Sequence, residues 1–286
     1  MINTAAFLRF ALPGIALGVA PALVARVHAT NESFVRVPGA NVVTVVVHDY
    51  AYDMPATIPA GLTTFVLRNE GTQGHHLQLA RVDAGKSMAD VHAALLAGGA
   101  EPKWMHAVGG PNSPVPGGGE TNGTVILEPG SYVAYCTIPA ADGKSHFTKG
   151  MMKSVTVSPS SRAHQVLPAS DIAVTLGDYS FTLSRAPTRG HHVIAVTNNG
   201  TQPHELIMSQ LAPGKHVTDF DHWIDSPASE PPVRPFGGTT DISPGETMII
   251  QVDFVPGRYS LLCRVRDAHD GKPHSKHGMM QEFVVD

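Results

Sequence analysis

The sequence predicts an all-β protein: two tandem Greek-key β-sandwiches, each with a short inserted helix. Three observations carry that expectation. At 286 residues the chain has room for about two ordinary domains with their own cores. Glycine (28) and proline (23) are abundant and only 15% of residues are charged, which is the composition of a turn-rich β protein. The third observation is that the chain is written twice.

The first copy opens VVTVVVHDYAYDMPATIPAGLTTFVLRNEGTQGHHLQLARV, and the second opens IAVTLGDYSFTLSRAPTRGHHVIAVTNNGTQPHELIMSQL. Asp49-Tyr50 matches Asp178-Tyr179, the turn Asn69-x-Gly71 matches Asn198-x-Gly200, and His75 falls over His204. Further on, PGSYVAYC (129–136) matches PGRYSLLC (256–263), with all matches at offsets of 127 to 129.

Each copy reads mostly as strand. Val42–Val47, Thr63–Leu67, Thr124–Leu127, Tyr132–Tyr135 and Lys153–Val157 are β-branched or apolar runs closed by turn residues. Ile172–Leu176, Val193–Thr197, Met248–Phe254, Tyr259–Cys263 and Glu282–Val285 repeat them. A helix is expected in each copy, capped by Ser87 ahead of VHAALLA and by Thr218 ahead of DFDHWID. The stretches GGPNSPVPGGGE and GGTTDISPGE read as loops. Domain 1 is expected over 30–157, a polar linker over 158–170 and domain 2 over 171–286.

Residues 1–29 read as a signal peptide. Arg9 supplies the positive region, an apolar run follows from Phe10 to Val24, and Val27-His28-Ala29 suits cleavage. A retained N-terminal anchor is the alternative; after cleavage no later stretch is apolar enough for stable membrane insertion. Location in the periplasm or secretion follows. A net charge of −4 with no basic block gives no footprint for nucleic acid or an anionic membrane.

The chemistry sits near the end of each copy. Cys136 to Met152 reads CTIPAADGKSHFTKGMM, and Cys263 to Met280 reads CRVRDAHDGKPHSKHGMM. Each runs Cys, Asp-Gly-Lys, His and Gly-Met-Met, and each copy adds one histidine upstream, His75 or His204. Two imidazoles, a thiolate and a weak thioether suit copper cycling between Cu(I) and Cu(II) better than zinc, and form the blue-copper pattern. The competing readings are a single disulfide between the two cysteines of an exported chain, or buried thiols in a metal-free sandwich. The disulfide would require the donor loops of both copies to touch. His76, Met152, His269, His277 and Met280 are spare donors in the same segments. Trp104 and Trp223 read as packing or rim residues.

With these residues the chain resembles a two-domain cupredoxin, a tandem pair of blue (type 1) copper modules, over nearly all of its length after residue 29. The family pattern is a histidine after an Asn-x-Gly turn, then Cys, His and Met before the last strand. The resemblance implies metal ligands His75, Cys136, His146 and Met151 in the first domain. In the second it implies His204, Cys263, His274 and Met279, with up to two type 1 coppers per chain. Some family members place Asn directly after the first histidine; here His76 and Glu205 stand there.

The implied function is one-electron transfer with a redox protein partner, with copper storage or delivery as an alternative. A metal-free interaction module is a further one. Two-domain copper oxidases and nitrite reductases, to which the chain is also similar, relay electrons through a histidine beside the cysteine and add His-x-His pairs. Tyr135 and Thr137 flank Cys136, Leu262 and Arg264 flank Cys263, and there is no His-x-His. The enzyme reading is therefore disfavoured, and no catalytic residue is assigned.

Overall fold

A computed structural model describes residues 34–99, 101–161, 165–227 and 230–286. The signal peptide expected over 1–29 lies outside the described residues. Phe34 to Asp286 fall within one compact unit.

The first half contributes β1 (Asn41–His48), β2 (Ala51–Asp53), β3 (Thr57–Pro59), β4 (Gly61–Asn69) and β5 (Gln78–Val82). Helix α1 (Met88–Ala97) follows, then β6 (Met105–Gly109), β7 (Gly119–Leu127), β8 (Gly130–Tyr135) and β9 (Met152–Ser158). The second half contributes β10 (Ile172–Gly177), β11 (Ser180–Leu183), β12 (Gly190–Asn198) and β13 (His204–Leu211). It ends with α2 (Val217–Asp225), β14 (Val233–Ile242), β15 (Thr247–Phe254), β16 (Gly257–Leu262) and β17 (Met280–Val285).

These strands form two sheets, ordered β11-β10-β12-β15-β7-β4-β1-β2 and β17-β16-β13-β14-β6-β5-β8-β9-β3. In each half the first long strand runs parallel to the strand after next in its sheet, β1 with β4 and β10 with β12, while most remaining pairs are antiparallel. That order is a Greek-key sandwich, as the sequence predicts. Alternation fixes which face is inward: Val43, Val45 and Val47 of β1 are buried and their neighbours are not. The repeated PGSY and PGRY segments close a tyrosine corner in each half. Tyr132 donates its hydroxyl hydrogen to the Glu128 carbonyl and Tyr259 to that of Val255, both at 2.9 Å.

Both sheets run across the two halves. Thr124 of β7 pairs with Ile249 of β15, and Val108 of β6 pairs with Ile242 of β14. Beside these pairs Thr240 N donates to Gly110 O at 2.9 Å and Asn112 N donates to Gly238 O at 3.1 Å. Gly110 and Gly238 are counterparts in the repeat, as are Asn112 and Thr240, so the joint is reciprocal. Gly110 is required here: a Cβ would collide with the backbone carbonyl of Leu77, and one at Gly238 with that of Leu206. One apolar core cluster includes residues of both halves, among them Val108, Leu206, Ile242 and Met248.

Two expectations change. GGTTDI is not loop but the end of β14, because its positive-φ glycines let the chain lie between β13 and β6. Thr218 does not cap α2; it lies inside the helix. His216 is the cap residue, and its N–H is taken by Asp219 Oδ2 at 2.8 Å. Ser87 does cap α1, with Asp90 completing a capping box. Trp104 and Trp223 pack at the helix-bearing flanks.

Candidate metal centres

The donor clusters arise from strand ends. In the first half β5 pairs with β8, Gln78 opposite Tyr135, so His75 at the approach to β5 meets Cys136 at the exit of β8. In the second half β13 pairs with β16, Ile207 opposite Leu262, bringing His204 to Cys263.

The loop after each cysteine then folds back on it through the same four backbone bonds. Phe147 N donates to Cys136 O (2.9 Å), His146 N to Ile138 O (2.9 Å), Met151 N to His146 O (3.1 Å) and Cys136 N to Met151 O (3.3 Å). Ser275, His274, Met279 and Cys263 make the counterparts with Cys263, Val265, His274 and Met279, at 2.9, 2.9, 3.1 and 3.2 Å. A short 3-10 turn, His146–Lys149 or His274–His277, ends at Gly150 (φ 103°) or Gly278 (φ 97°), which lets the methionine turn inward.

The result is two triads. Donor atoms of His75, Cys136 and His146 all lie within 4.8 Å of one another, as do those of His204, Cys263 and His274. Cys136 Sγ lies 3.5 Å from His146 Nδ1, and Cys263 Sγ lies 3.5 Å from His274 Nδ1 and 3.9 Å from His204 Nδ1. All six residues, with Met151 and Met279, have 0% of their surface exposed. Both cysteines carry free thiols, each facing its own imidazole pair.

The electrostatics suit a cation. Asp49 Oδ1 accepts from His75 Nε2 at 3.0 Å, and Asp178 Oδ1 accepts from His204 Nε2 at 2.8 Å. A carboxylate only accepts, so Nε2 carries the proton and Nδ1 keeps its lone pair. His75 Nδ1 is buried without a hydrogen-bond partner. His204 Nδ1 faces His274 Nδ1 at 3.0 Å. Burial, then the neighbouring His75 or His204, pushes His146 and His274 down to about 4, so both stay neutral. Burial pushes the Cys136 thiol up to about 12, and that of Cys263 well above its ordinary value. Neutral imidazole lone pairs converging on a buried thiol fit a soft metal ion, whose charge would bring the sulfur to thiolate.

The residues after the first histidines play a different part. His76 Nε2 accepts from Thr137 N at 3.0 Å, and Glu205 Oε1 accepts from Arg264 N at 2.9 Å. Each tethers the residue after the cysteine, and for His76 that bond occupies Nε2. Met152 and Met280 pack in the flanking clusters rather than in the core cluster that holds Cys136, Met151, Cys263 and Met279. His277 turns to Asp270 Oδ1 at 3.2 Å and to the ring of Tyr179. Sequence reading passed over Asp49 and Asp178 as contacts of the first histidines, although their repetition in both copies was the signal.

No family model matches the chain, and no curated protein does. Among solved structures, it is similar to dithionite-reduced auracyanin from the photosynthetic bacterium Roseiflexus castenholzii. That match is 28% identical, with 42% of this chain and all of that one covered at a TM-score of 0.30. A multicopper oxidase matches at 13% identity over 86% of this chain and 88% of that one, TM-score 0.26. The blue copper oxidase of Nitrosomonas europaea matches at 16% over 86% and 85%, TM-score 0.24. Strand order and the paired donor sets carry the likeness in this chain itself. On those grounds the chain has a cupredoxin-like fold written in two halves, with a His-Cys-His cluster in each.

Proposed function

We propose that the protein is an exported copper protein that carries single electrons to and from a redox protein partner. Copper would be held by His75, Cys136, His146 and Met151 in one half and by His204, Cys263, His274 and Met279 in the other. It would supply reversible Cu(I)/Cu(II) chemistry with little change of geometry. The protein's part is to keep both imidazoles neutral and aimed inward, to bury the thiol and to exclude water.

The observation that carries this reading is the complete burial of all six triad donors in both halves. A catalytic copper needs an open position for its substrate, and buried donors favour electron passage over substrate binding. Spare donors would favour storage; of these, His277 is turned to Asp270, and Met152 and Met280 pack in the flanking clusters, which supports the electron-transfer reading. Export rests on the N-terminal pattern, and no helix among the described residues is long and apolar enough to cross a membrane. N-terminal sequencing of protein from the envelope should begin after Ala29.

The test is colour with metal counting. Purified protein given Cu(II) should turn intensely blue and bind two coppers, and Cys136→Ser and Cys263→Ser should each remove about half the absorption. A colourless wild type would refute the reading.

A further inference from the structure

The turn after the first strand of each half is Asp-Tyr, and it touches both imidazoles of its cluster. Besides receiving His75, the Asp49 carboxylate is held from behind: Thr72 N donates to Oδ1 at 3.0 Å and Thr72 Oγ1 to Oδ2 at 2.6 Å. Thr201 holds Asp178 with the same pair of bonds, at 3.0 and 2.6 Å. A Cβ on Gly71 would run into Asp49 and His75, and one on Gly200 into Asp178 and His204. The glycine of each Asn-x-Gly turn therefore leaves room for the carboxylate–imidazole pair.

The tyrosine is the second contact. Tyr50 and Tyr179 have φ of 70° and 66°, the left-handed region. That conformation costs a side-chain-bearing residue roughly 1–2 kcal/mol, and it occurs at the same place in both halves. In each case the ring lies edge-to-face against the second histidine, with centroids 5.0 Å apart for Tyr50–His146 and 5.4 Å for Tyr179–His274. Nε2 of His146 and of His274 is buried without a hydrogen-bond partner. Tyr50 and Tyr179 are themselves half-buried, and the histidines they lie against are fully buried. The hydroxyls are tethered: Gln73 Nε2 donates to Tyr50 Oη at 2.9 Å, and Tyr179 Oη donates to Asp267 Oδ2 at 2.5 Å.

We propose that the Asp-Tyr turn is a positioning and sealing device, in which the carboxylate locks the first histidine with Nδ1 inward and the tyrosine ring closes the second against water and small anions. The metal-sealing half rests on the copper reading above; the histidine-locking half does not. Both residues are positioning residues, acting through the imidazoles they touch.

The experiment has two arms. Without metal, nitrogen-15 NMR of the full chain should show His75 and His204 in the Nε2–H form. Asp49→Ala and Asp178→Ala should each give mixed tautomers at the histidine concerned and weaken Cu(II) binding roughly 10- to 100-fold. With copper, azide should leave the wild-type spectrum unchanged but shift it in Tyr50→Gly and Tyr179→Gly. Glycine suits φ near 70°, so these variants relieve strain and should fold. Tyr50→Phe and Tyr179→Phe keep the ring and should remain closed to azide. Unchanged tautomers in the Asp variants overturn the locking role. Glycine variants as indifferent to azide as the wild type, or Phe variants as open as Gly, overturn the sealing role. A wild type that binds no copper sinks the function instead, and the metal-free arm still decides the locking role.

Discussion

At the scale of single residues, burial decides what each polar group does. Glu101 lies at the joint between the halves, where Ser243 Oγ donates to it at 2.9 Å and Asp241 and His106 stand near. Burial is the main cause that raises its carboxyl from 4.5 to about 7, with Asp241 adding and the Ser243 bond opposing. A folded-state value above the unfolded one means that Glu101 contributes most below about pH 4.5 and loses that contribution as pH rises through about 7. Glu101→Gln should therefore be more stable than the wild type by about 2 kcal/mol at pH 8, with the gap closing towards pH 4.5. Urea unfolding across that range checks it, and a constant gap would contradict the assignment. The eight proposed ligands were legible in the sequence because their types and spacing repeat. The tethering role of His76 and Glu205 was not, since an imidazole and a carboxylate share only the ability to accept one backbone N–H.

At the scale of elements, close approach of backbones is the constraint that composition hides. Gly110 has an ordinary φ, yet a side chain there meets the Leu77 carbonyl; Gly74 has nothing within 4 Å. Gly110→Ala should cost about 2–4 kcal/mol in chemical denaturation, while Gly74→Ala should stay within about 0.5 kcal/mol of the wild type. Equal costs would remove the joint from the explanation. The long β-branched strands such as β1, β4 and β15 were readable from alternation or apolar runs. β6 and β14 were not: MHAVG is too short for a period, and VRPFGGTTDI carries the Pro and Gly of a turn. They are strands because β5, β13 and each other's edges supply partners for their backbone groups.

At the scale of the whole molecule, the halves are held by edge pairing rather than by the segment between them. Asn122 and Gln251 exchange bonds of 2.8 and 2.9 Å across the joint, and Ser243 N donates to Ala107 O at 2.9 Å. Cleavage within residues 165–170 should therefore leave two fragments that elute as one particle in size-exclusion chromatography and part only in denaturant. Fragments that separate in native buffer would show that the joint depends on the tether.

The reciprocity of that joint has a further consequence. A surface on which Gly110 receives what Gly238 receives, and Asn112 gives what Thr240 gives, is complementary to itself. A single ancestral module bearing such a surface would have met its own duplicate as a twofold pair. Carrying both copies on one chain turns an encounter that dilution could abolish into a permanent neighbour at high effective concentration.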